Sequence, residues 1–484
     1  MRKNSIIKKY STGVACAILL LTSCKVPQNI TQPGNISRMP AAYLYTDADS
    51  NSIATQPWKT FFADSMLQKL IDTALANNPD FLSAEQQVYI AGSYVSMSKA
   101  LTMPSLDAVI NIQADRYAFY TMNGVGNADL NKSSNITPDM RIPDVVPDYL
   151  IGVRSQWEID VWGKLRNMKK SAASRYLATV QGKLFLQTNI VAEVAYLYYE
   201  LLGLDYEIEV VRKNIMLQEQ ALEIVKAQKL GGRATELAVL QFEAQTKRTG
   251  GIEFAIKQQI TVTENRLNML LGRYPQQIGR GSSLMELVIP GKISAGIPSN
   301  LLLNRPDVRA AMHELTASYA DVAAARTMYL PSFIISPYIG LQGFRLPSFF
   351  NATSIAAGIA GNIVGPVINR RKIKGQYRIN EARAKQAWLN YNKSLQTAVM
   401  EVQNNLQGFV NLNSQFVLKE GEVASLSTAI GTANDLYTNG YANYLEVITA
   451  QKSLLEAEIE LTLLKKVQLQ IMVGLYRSAG GGYR

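Results

Sequence analysis

The sequence predicts a mainly α-helical protein with a membrane β-barrel contribution, built as two tandem repeats of helix, β-hairpin and helical hairpin with four strands per chain. Three observations carry this. First, from Tyr149 to Gly163 apolar and polar residues alternate: Tyr149, Ile151, Val153, Trp157, Ile159 and Val161 against Arg154, Gln156, Glu158 and Asp160. A period of two is a strand with one oily face and one wet face. Second, the period becomes helical from Lys164, and no proline occurs between Pro147 and Pro275 or after Pro366. Third, the same order of landmarks occurs twice along the chain.

The N-terminus reads as a targeting segment over residues 1–23. Arg2, Lys3, Lys8 and Lys9 precede a short apolar run, Val14–Leu21, that cannot span a bilayer and suits a signal peptide. Leu21-Thr22-Ser23-Cys24 resembles the lipobox of bacterial lipoproteins, which implies that Cys24 is lipidated and becomes the first residue. Lys25, rather than aspartate, follows it, which allows sorting to the outer membrane. Cleavage removes four positive charges and Cys16, so the formal charge falls from +11 to +7 and no internal disulfide is available. That charge is too dilute to suggest a nucleic-acid partner. Residues 24–57, with Pro27, Pro33, Pro40 and Pro57 and no apolar period, read as an extended arm from the anchor.

The body divides into repeat one (58–272), a linker (273–298) and repeat two (299–484). Asn78-Pro79-Asp80 returns as Arg305-Pro306-Asp307, and Met103-Pro104-Ser105 as Leu330-Pro331-Ser332, both at an offset of 227. Gly232 and Leu237 return as Gly440 and Leu445 at an offset of 208. Repeat one therefore carries about 19 extra residues in its middle, where Gly124, Gly126, Asn127, Asn131, Ser133 and Ser134 crowd together as in a loop.

Each repeat opens with a short helix, with Pro79 or Pro306 in the first turn, where a missing N–H costs nothing. Pro104 and Pro331 end these helices, because the residue before proline avoids the helical region. Strands follow at about 105–118 and 148–162, then at about 332–344 and 353–367. Leu106, Ala108, Ile110, Ile112 and Ala114 alternate with Asp107, Asn111, Gln113 and Asp115; Phe333, Ile335, Ile339 and Leu341 alternate with Ser336, Tyr338 and Gln342; Ile355, Ala357, Ile359 and Ile363 alternate with Asn362 and small residues. The long blocks then carry seams at coiled-coil spacing, such as Val191, Ala195, Tyr198, Leu202 and Val399, Val402, Leu406, Phe409. Glycine turns near 231 and near 440 fold each block into a helical hairpin. A first helix of about 62 residues is roughly 90 Å long.

Four strands cannot close a barrel, and an open edge is not allowed in lipid. Known membrane barrels begin at about eight strands. Copies of the chain must share one barrel: two would give about eight strands with a filled interior, three about twelve with a lumen. The polar faces would suit a water-filled wall. Composition alone also allows a soluble sandwich, but the lipoprotein signal and the lack of another spanning segment favour the barrel. Hairpins of this length, side by side in a ring, would form a tube.

Enzymatic classes find little support. There is one histidine, His313, no GxxxxGK[ST] or GxGxxG loop, and no histidine–cysteine cluster. No cofactor and no metal site is expected, and the chain reads as a passive conduit rather than an enzyme.

Several words of the sequence carry a resemblance. They are Trp58-Lys59-Thr60-Phe61-Phe62, Leu70-Ile71-Asp72-Thr73-Ala74-Leu75, Trp157-Glu158-Ile159-Asp160-Val161-Trp162-Gly163-Lys164-Leu165-Arg166, Leu302-Leu303-Asn304-Arg305-Pro306-Asp307-Val308-Arg309-Ala310-Ala311 and Tyr437 to Gln451. In order and duplicated, they make the chain resemble the TolC-like outer membrane efflux family, closest to its lipoprotein branch, from Trp58 to about Leu475. The resemblance implies a homotrimer in the bacterial outer membrane, with a shared 12-stranded barrel and a long α-helical barrel reaching into the periplasm. It implies the outer-membrane channel of a tripartite pump of the resistance-nodulation-division type. Such a channel works with a periplasmic adaptor protein and an inner-membrane efflux pump to pass small molecules such as drugs or metal ions. Alternatives are the exit duct of a type I protein secretion system and a non-transporting coiled-coil lipoprotein.

The family's periplasmic gate motif aligns with Tyr437–Thr449, which makes Glu446 and Tyr437 candidate gate residues. The second acidic position falls on Thr449 and the basic lock position on Ala442, so this chain departs from the pattern at both. Gly231, Gly232, Asn439 and Gly440 are, by the same resemblance, candidate contacts for the adaptor; taken alone they are also simply helical turns.

Overall fold

A computed structural model describes residues 39–44, 53–289, 296–366 and 370–483. The signal segment and Cys24 lie outside them. Among the described residues the chain forms two units, one comprising Ala91–Tyr176 and Leu315–Ala387, the other Gly34–Ile90, Leu177–Glu314 and Trp388–Arg484.

The principal helices are α1 (Ser65–Asn77), α2 (Pro79–Ala100), α3 (Met122–Leu130), α4 (Lys164–Leu230), α5 (Glu236–Leu270), α6 (Pro306–Thr327), α7 (Arg370–Thr438) and α8 (Tyr444–Ala479). The strands are β1 (Ser105–Asp115), β2 (Val146–Ile159), β3 (Ser332–Gly343) and β4 (Ile355–Val364). α2 and α6 are each 22 residues, longer than the short helices expected, and begin and end at an offset of 227. α4 and α7 run for 67 and 69 residues.

Local chemistry sets these ends. Asn78 Oδ1 accepts from the Phe81 N–H at 3.0 Å, capping α2 one residue before its proline. Asp160 accepts from the N–H groups of Leu165 (3.0 Å) and Arg166 (2.9 Å), which starts α4. Burial alone would raise the Asp160 carboxyl, but these two N–H groups and the Arg166 guanidinium hold it below the usual range. The same bonds draw the chain out of the ladder, so β2 stops at Ile159 and not at 162. β1 stops at Asp115 rather than 118, because Asp115 already pairs with Val146, the first residue of β2. β4 covers 355–364 instead of 353–367, and the residues just past it lead into Pro366.

The strands form one antiparallel sheet in the order β1-β2-β3-β4. Asp107 lies opposite Arg154 and Gln113 opposite Asp148, whereas Ile110 lies opposite Ile151 and Ile112 opposite Tyr149. Opposed residues share a face, so the charged and amide side chains gather on one side, with Leu150 and Val109 among them, and the large aliphatic and aromatic pairs gather on the other. Between β2 and β3, Gly152 faces Gly340. A Cβ on Gly152 would stand 2.5 Å from the Ile339 carbonyl oxygen, so the close approach of the two backbones requires glycine there.

The glycine-rich insertion is a correction to the expected loop. Residues Met122–Leu130 form α3, capped by the Thr121 side chain, which accepts from the Gly124 N–H. Gly124 lies so close to the Ala118 carbonyl that a Cβ would meet it at 2.1 Å. Glycine here permits a tight return of the backbone rather than marking an irregular loop.

The core of the second unit gathers Phe62, Leu67 and Ile71, Leu197, Tyr198, Leu201 and Leu202 of α4, Leu267 of α5, Leu284 of the linker and Tyr476 of α8. The linker is tied down. The Tyr198 hydroxyl donates to Asp64 (2.7 Å) and accepts from the Gly281 N–H (2.9 Å), and Arg280 pairs with Asp205 at 2.7 Å and Glu264 at 2.5 Å. The described part of the arm also packs. Leu44 exchanges two backbone hydrogen bonds with the Gln403 amide, and Tyr43 is buried.

Candidate functional site: helical tips and strand faces

Both helical hairpins turn by the same motif. In the first, Arg233 N–H donates to the Gln228 carbonyl at 2.8 Å and Gly232 N–H to Lys229 at 2.9 Å. In the second, Tyr441 N–H donates to Leu436 at 2.9 Å and Gly440 N–H to Tyr437 at 3.1 Å. These are paired Schellman closures, with Gly232 at φ +73° and Gly440 at φ +78° in the left-handed region that favours glycine. Thr235 then caps α5 and Asn443 caps α8. Every step repeats at 208 residues.

The structure brings the two tips together. Leu222, Val225, Ala238, Val239 and Phe242 of the first hairpin pack with Val447 of the second, and Tyr437, Tyr444 and Ile448 border the cluster. Tyr437 is half-buried there, and burial raises its phenol. Glu446, one residue before buried Val447, is exposed in the first turn of α8 and makes no ion pair among the described residues. Gly231, Gly232, Asn439 and Gly440 are all exposed. Thr449, at the second acidic position, donates its hydroxyl back to the Leu445 carbonyl at 2.7 Å.

The tips differ in one respect that a single-residue reading misses. Lys229 and Glu236 of the first tip form an ion pair. Their counterparts at 208 residues are Tyr437 and Tyr444, both against the apolar cluster. Where one tip has an ion pair, the other has two tyrosines that border the apolar cluster.

The strand faces complete the site. Leu106, Ile110, Ile112, Ile359 and Ile363, on the apolar face, are each between 71% and 76% exposed. A contiguous apolar surface of this kind calls for an apolar surrounding. Among the described residues no helix is long and apolar enough to cross a membrane. The opposite face carries Asp107, Asn111, Gln113 and Arg154, with the Gln342 amide donating to Asp148 at 2.9 Å.

Two buried polar networks escaped the sequence reading. Arg305, part of the landmark Arg305-Pro306-Asp307, pairs with Asp307 at 2.6 Å and Glu401 at 2.8 Å and donates to the Ser478 carbonyl. Lys466 pairs with Glu200. The Arg305-Pro306-Asp307 word itself was the available signal for the first; no local signal exists for the second. His313 is half-buried, and burial, helped by Arg309, lowers its imidazole pKa. No group of three His, Cys, Asp or Glu side chains is placed to hold a metal among the described residues.

Comparison with known proteins places this architecture. The family model described as "Outer membrane efflux protein" matches residues 70–273 and 297–481. Cation efflux system protein CusC of Escherichia coli O6:H1 is 27% identical over 478 residues, covering 97% of this chain and 98% of that protein. Solvent efflux pump outer membrane protein SrpC of Pseudomonas putida is 27% identical over 481 residues, covering 98% of this chain and 99% of that one. Probable outer membrane lipoprotein SilC of Salmonella typhimurium is 26% identical over 469 residues, covering 95% and 93%. Among solved structures, CusC superposes with a TM-score of 0.81 at 25% identity, covering 95% of this chain and 100% of that one. The open state of the Neisseria gonorrhoeae MtrE outer membrane channel shares the fold, with a TM-score of 0.81 at 22% identity over 95% of this chain and 99% of that one. The duplicated strand and helical hairpins, the one-sided apolar sheet and a family match through both repeats make this chain a member of the outer membrane efflux protein family.

Proposed function

We propose that this protein is the passive outer-membrane exit duct of a tripartite efflux pump, a homotrimer anchored through Cys24, that passes small molecules such as drugs, solvents or metal ions. The observation that carries the reading is the sheet. It has an apolar exposed face, a polar opposite face and two edges, β1 and β4, that are unpaired among the described residues. In lipid such edges must be closed by other copies, and three copies supply about twelve strands and a lumen. The paired exposed turns at Gly231-Gly232 and Asn439-Gly440 are the contacts for a periplasmic adaptor, which joins the duct to an inner-membrane pump. Glu446, close to the same end, contributes one acidic ring to the gate. The relatives named for cations and for solvents bracket the cargo.

The test is reconstitution. Purified protein in planar bilayers should conduct ions, and its band should shift on heating before electrophoresis. Deleting the gene should sensitise the host to solvents or toxic cations. A monodisperse monomer in plain buffer that never conducts overturns the reading.

A further inference from the structure

Both long helices begin with a run of positive charge, just past the strands. Residues 164–178 hold five basic and no acidic side chains, and residues 370–378 hold five basic and none acidic. The two runs match at the repeat offset of 208: Arg166 returns as Lys374 and Lys170 as Arg378. Neither helix has an acidic residue in its first turn. Locally this is unfavourable. Positive charge opposes the helix dipole at an N-terminus, and like charges four residues apart repel. A feature that costs helix stability in both repeats calls for a negative partner outside the helix.

The geometry gives the side on which these charges lie. Lys164 pairs at 2.8 Å with Glu158, which belongs to the polar sheet face. With 3.6 residues per turn, Arg166 and Lys170 lie about 200° and about 240° round α4 from Lys164, on the side of the apolar face. In the second repeat Lys372 lines one cleft with Glu158 and Lys164, and Lys374 and Arg378 bear the same relation to it round α7. Arg166 touches Asp160 at 3.2 Å yet keeps 70% of its side chain exposed. Lys170, Lys374 and Arg378 are exposed and make no ion pair among the described residues.

Two further observations set an apolar-to-polar boundary at this level. Phe333 and Ile363 oppose one another at the end of the exposed apolar face, and the Trp162 ring stands 6.3 Å from that of Phe333. Trp162 and Trp157 are 45% and 38% exposed, and tryptophans in such positions favour the interface between lipid and water. The charge is also one-sided. At the other end of the strands, residues 115–148 hold five aspartates and three basic side chains.

We propose that Arg166, Lys170, Lys374 and Arg378 form a basic collar under the apolar sheet face that docks on the phosphates of anionic phospholipids in the periplasmic leaflet. This rests on the outer-membrane reading above and adds a lipid partner to it. Charge and position select the occupant: four cations in the first three turns of α4 and α7 lie directly below a surface suited to acyl chains. One basic side chain near an anionic surface is worth about fivefold in affinity, and salt screens the attraction.

Tryptophan quenching by brominated lipid tests this on the full-length protein reconstituted in phosphatidylcholine bilayers. Trp58 and Trp388 are buried and set the unquenched baseline, while Trp157 and Trp162 report the collar. Brominated phosphatidylglycerol should be preferred over phosphatidylcholine about fivefold in low salt, and the preference should fall in high salt. Arg166→Gln, Lys170→Gln, Lys374→Gln and Arg378→Gln combined should abolish it. Lys170→Gln with Arg378→Gln breaks no ion pair, so it should fold as the parent does and reduce the preference. Arg116→Gln, at the other end of the strands, should leave it unchanged. No headgroup preference in the parent, or a preference unchanged in the double variant, overturns the collar and leaves the exit duct standing. Absence of quenching by brominated phosphatidylcholine removes the protein from the bilayer, and both readings fall.

Discussion

Lys466 of α8 places its ammonium 2.9 Å from Glu200 of α4, with only 9% of the lysine side chain exposed. Its stem runs over Gly203, where an added Cβ would meet Lys466 Cδ at 2.7 Å. The Gln470 amide donates to the second Glu200 oxygen at 3.1 Å. The pair therefore joins the two hairpins through charge and through packed methylenes.

Removing the ammonium leaves the partly buried Glu200 charge without its cation, though the Gln470 amide still donates to it. Lys466→Met keeps the stem and should cost about 1–3 kcal/mol, below the figure for a fully buried pair because Glu200 keeps some solvent. Thermal unfolding in detergent reads the loss. Lys466→Met with Glu200→Gln should recover part of it, since the orphaned charge is gone.

Glu207, near the same pair, has its pKa raised, by burial first and by Glu200 as well, with Lys466 opposing. A carboxyl held above its unfolded value binds its proton more tightly when folded. Stability is then lost as pH rises from the ordinary glutamate pKa through the raised one. Glu207→Gln should be more stable than the parent at neutral pH and indistinguishable from it well below the ordinary value. Melting temperatures across that range check the sign, and a gap that widens on acidification would contradict it.

At the tips, Gly232 and Gly440 have positive φ and Gly231 does not. Gly232→Ala or Gly440→Ala should each cost about 1 kcal/mol, from the strain of a left-handed alanine. Gly231→Ala has no atom nearer than 3.6 Å to its new Cβ and should be close to neutral. Hydrogen exchange at the adjoining helix ends reports the local effect. An equal loss in all three variants would show that turn geometry is not what these glycines supply.

Glu446 is the one acidic residue in the first turn of α8. Three copies around an axis would attract cations. Glu446→Ala should weaken block of the reconstituted channel by divalent cations, while Glu446→Asp should keep it. An unchanged current–voltage curve in the presence of divalent cations removes Glu446 from the gate.

Local pattern made much of this molecule legible in the sequence. Alternation from Tyr149 onward determined the strand and its faces, because side chains on a pleated strand must point to opposite sides. The prolines at 79 and 306 and the glycines at 232 and 440 determined helix starts and turns, because each restricts or frees φ. Repetition of those landmarks exposed the duplication. What the tertiary structure decided depends on partners far apart in the chain. Met122–Leu130 became helix despite its glycines, since the Thr121 cap and the close return at Ala118 hold it. Lys466 met Glu200 across 266 residues, and Tyr437 met the first hairpin's tip, because antiparallel packing of the hairpins chose those neighbours. Such pairings follow from which apolar faces bury one another, and no local period in the sequence encodes them.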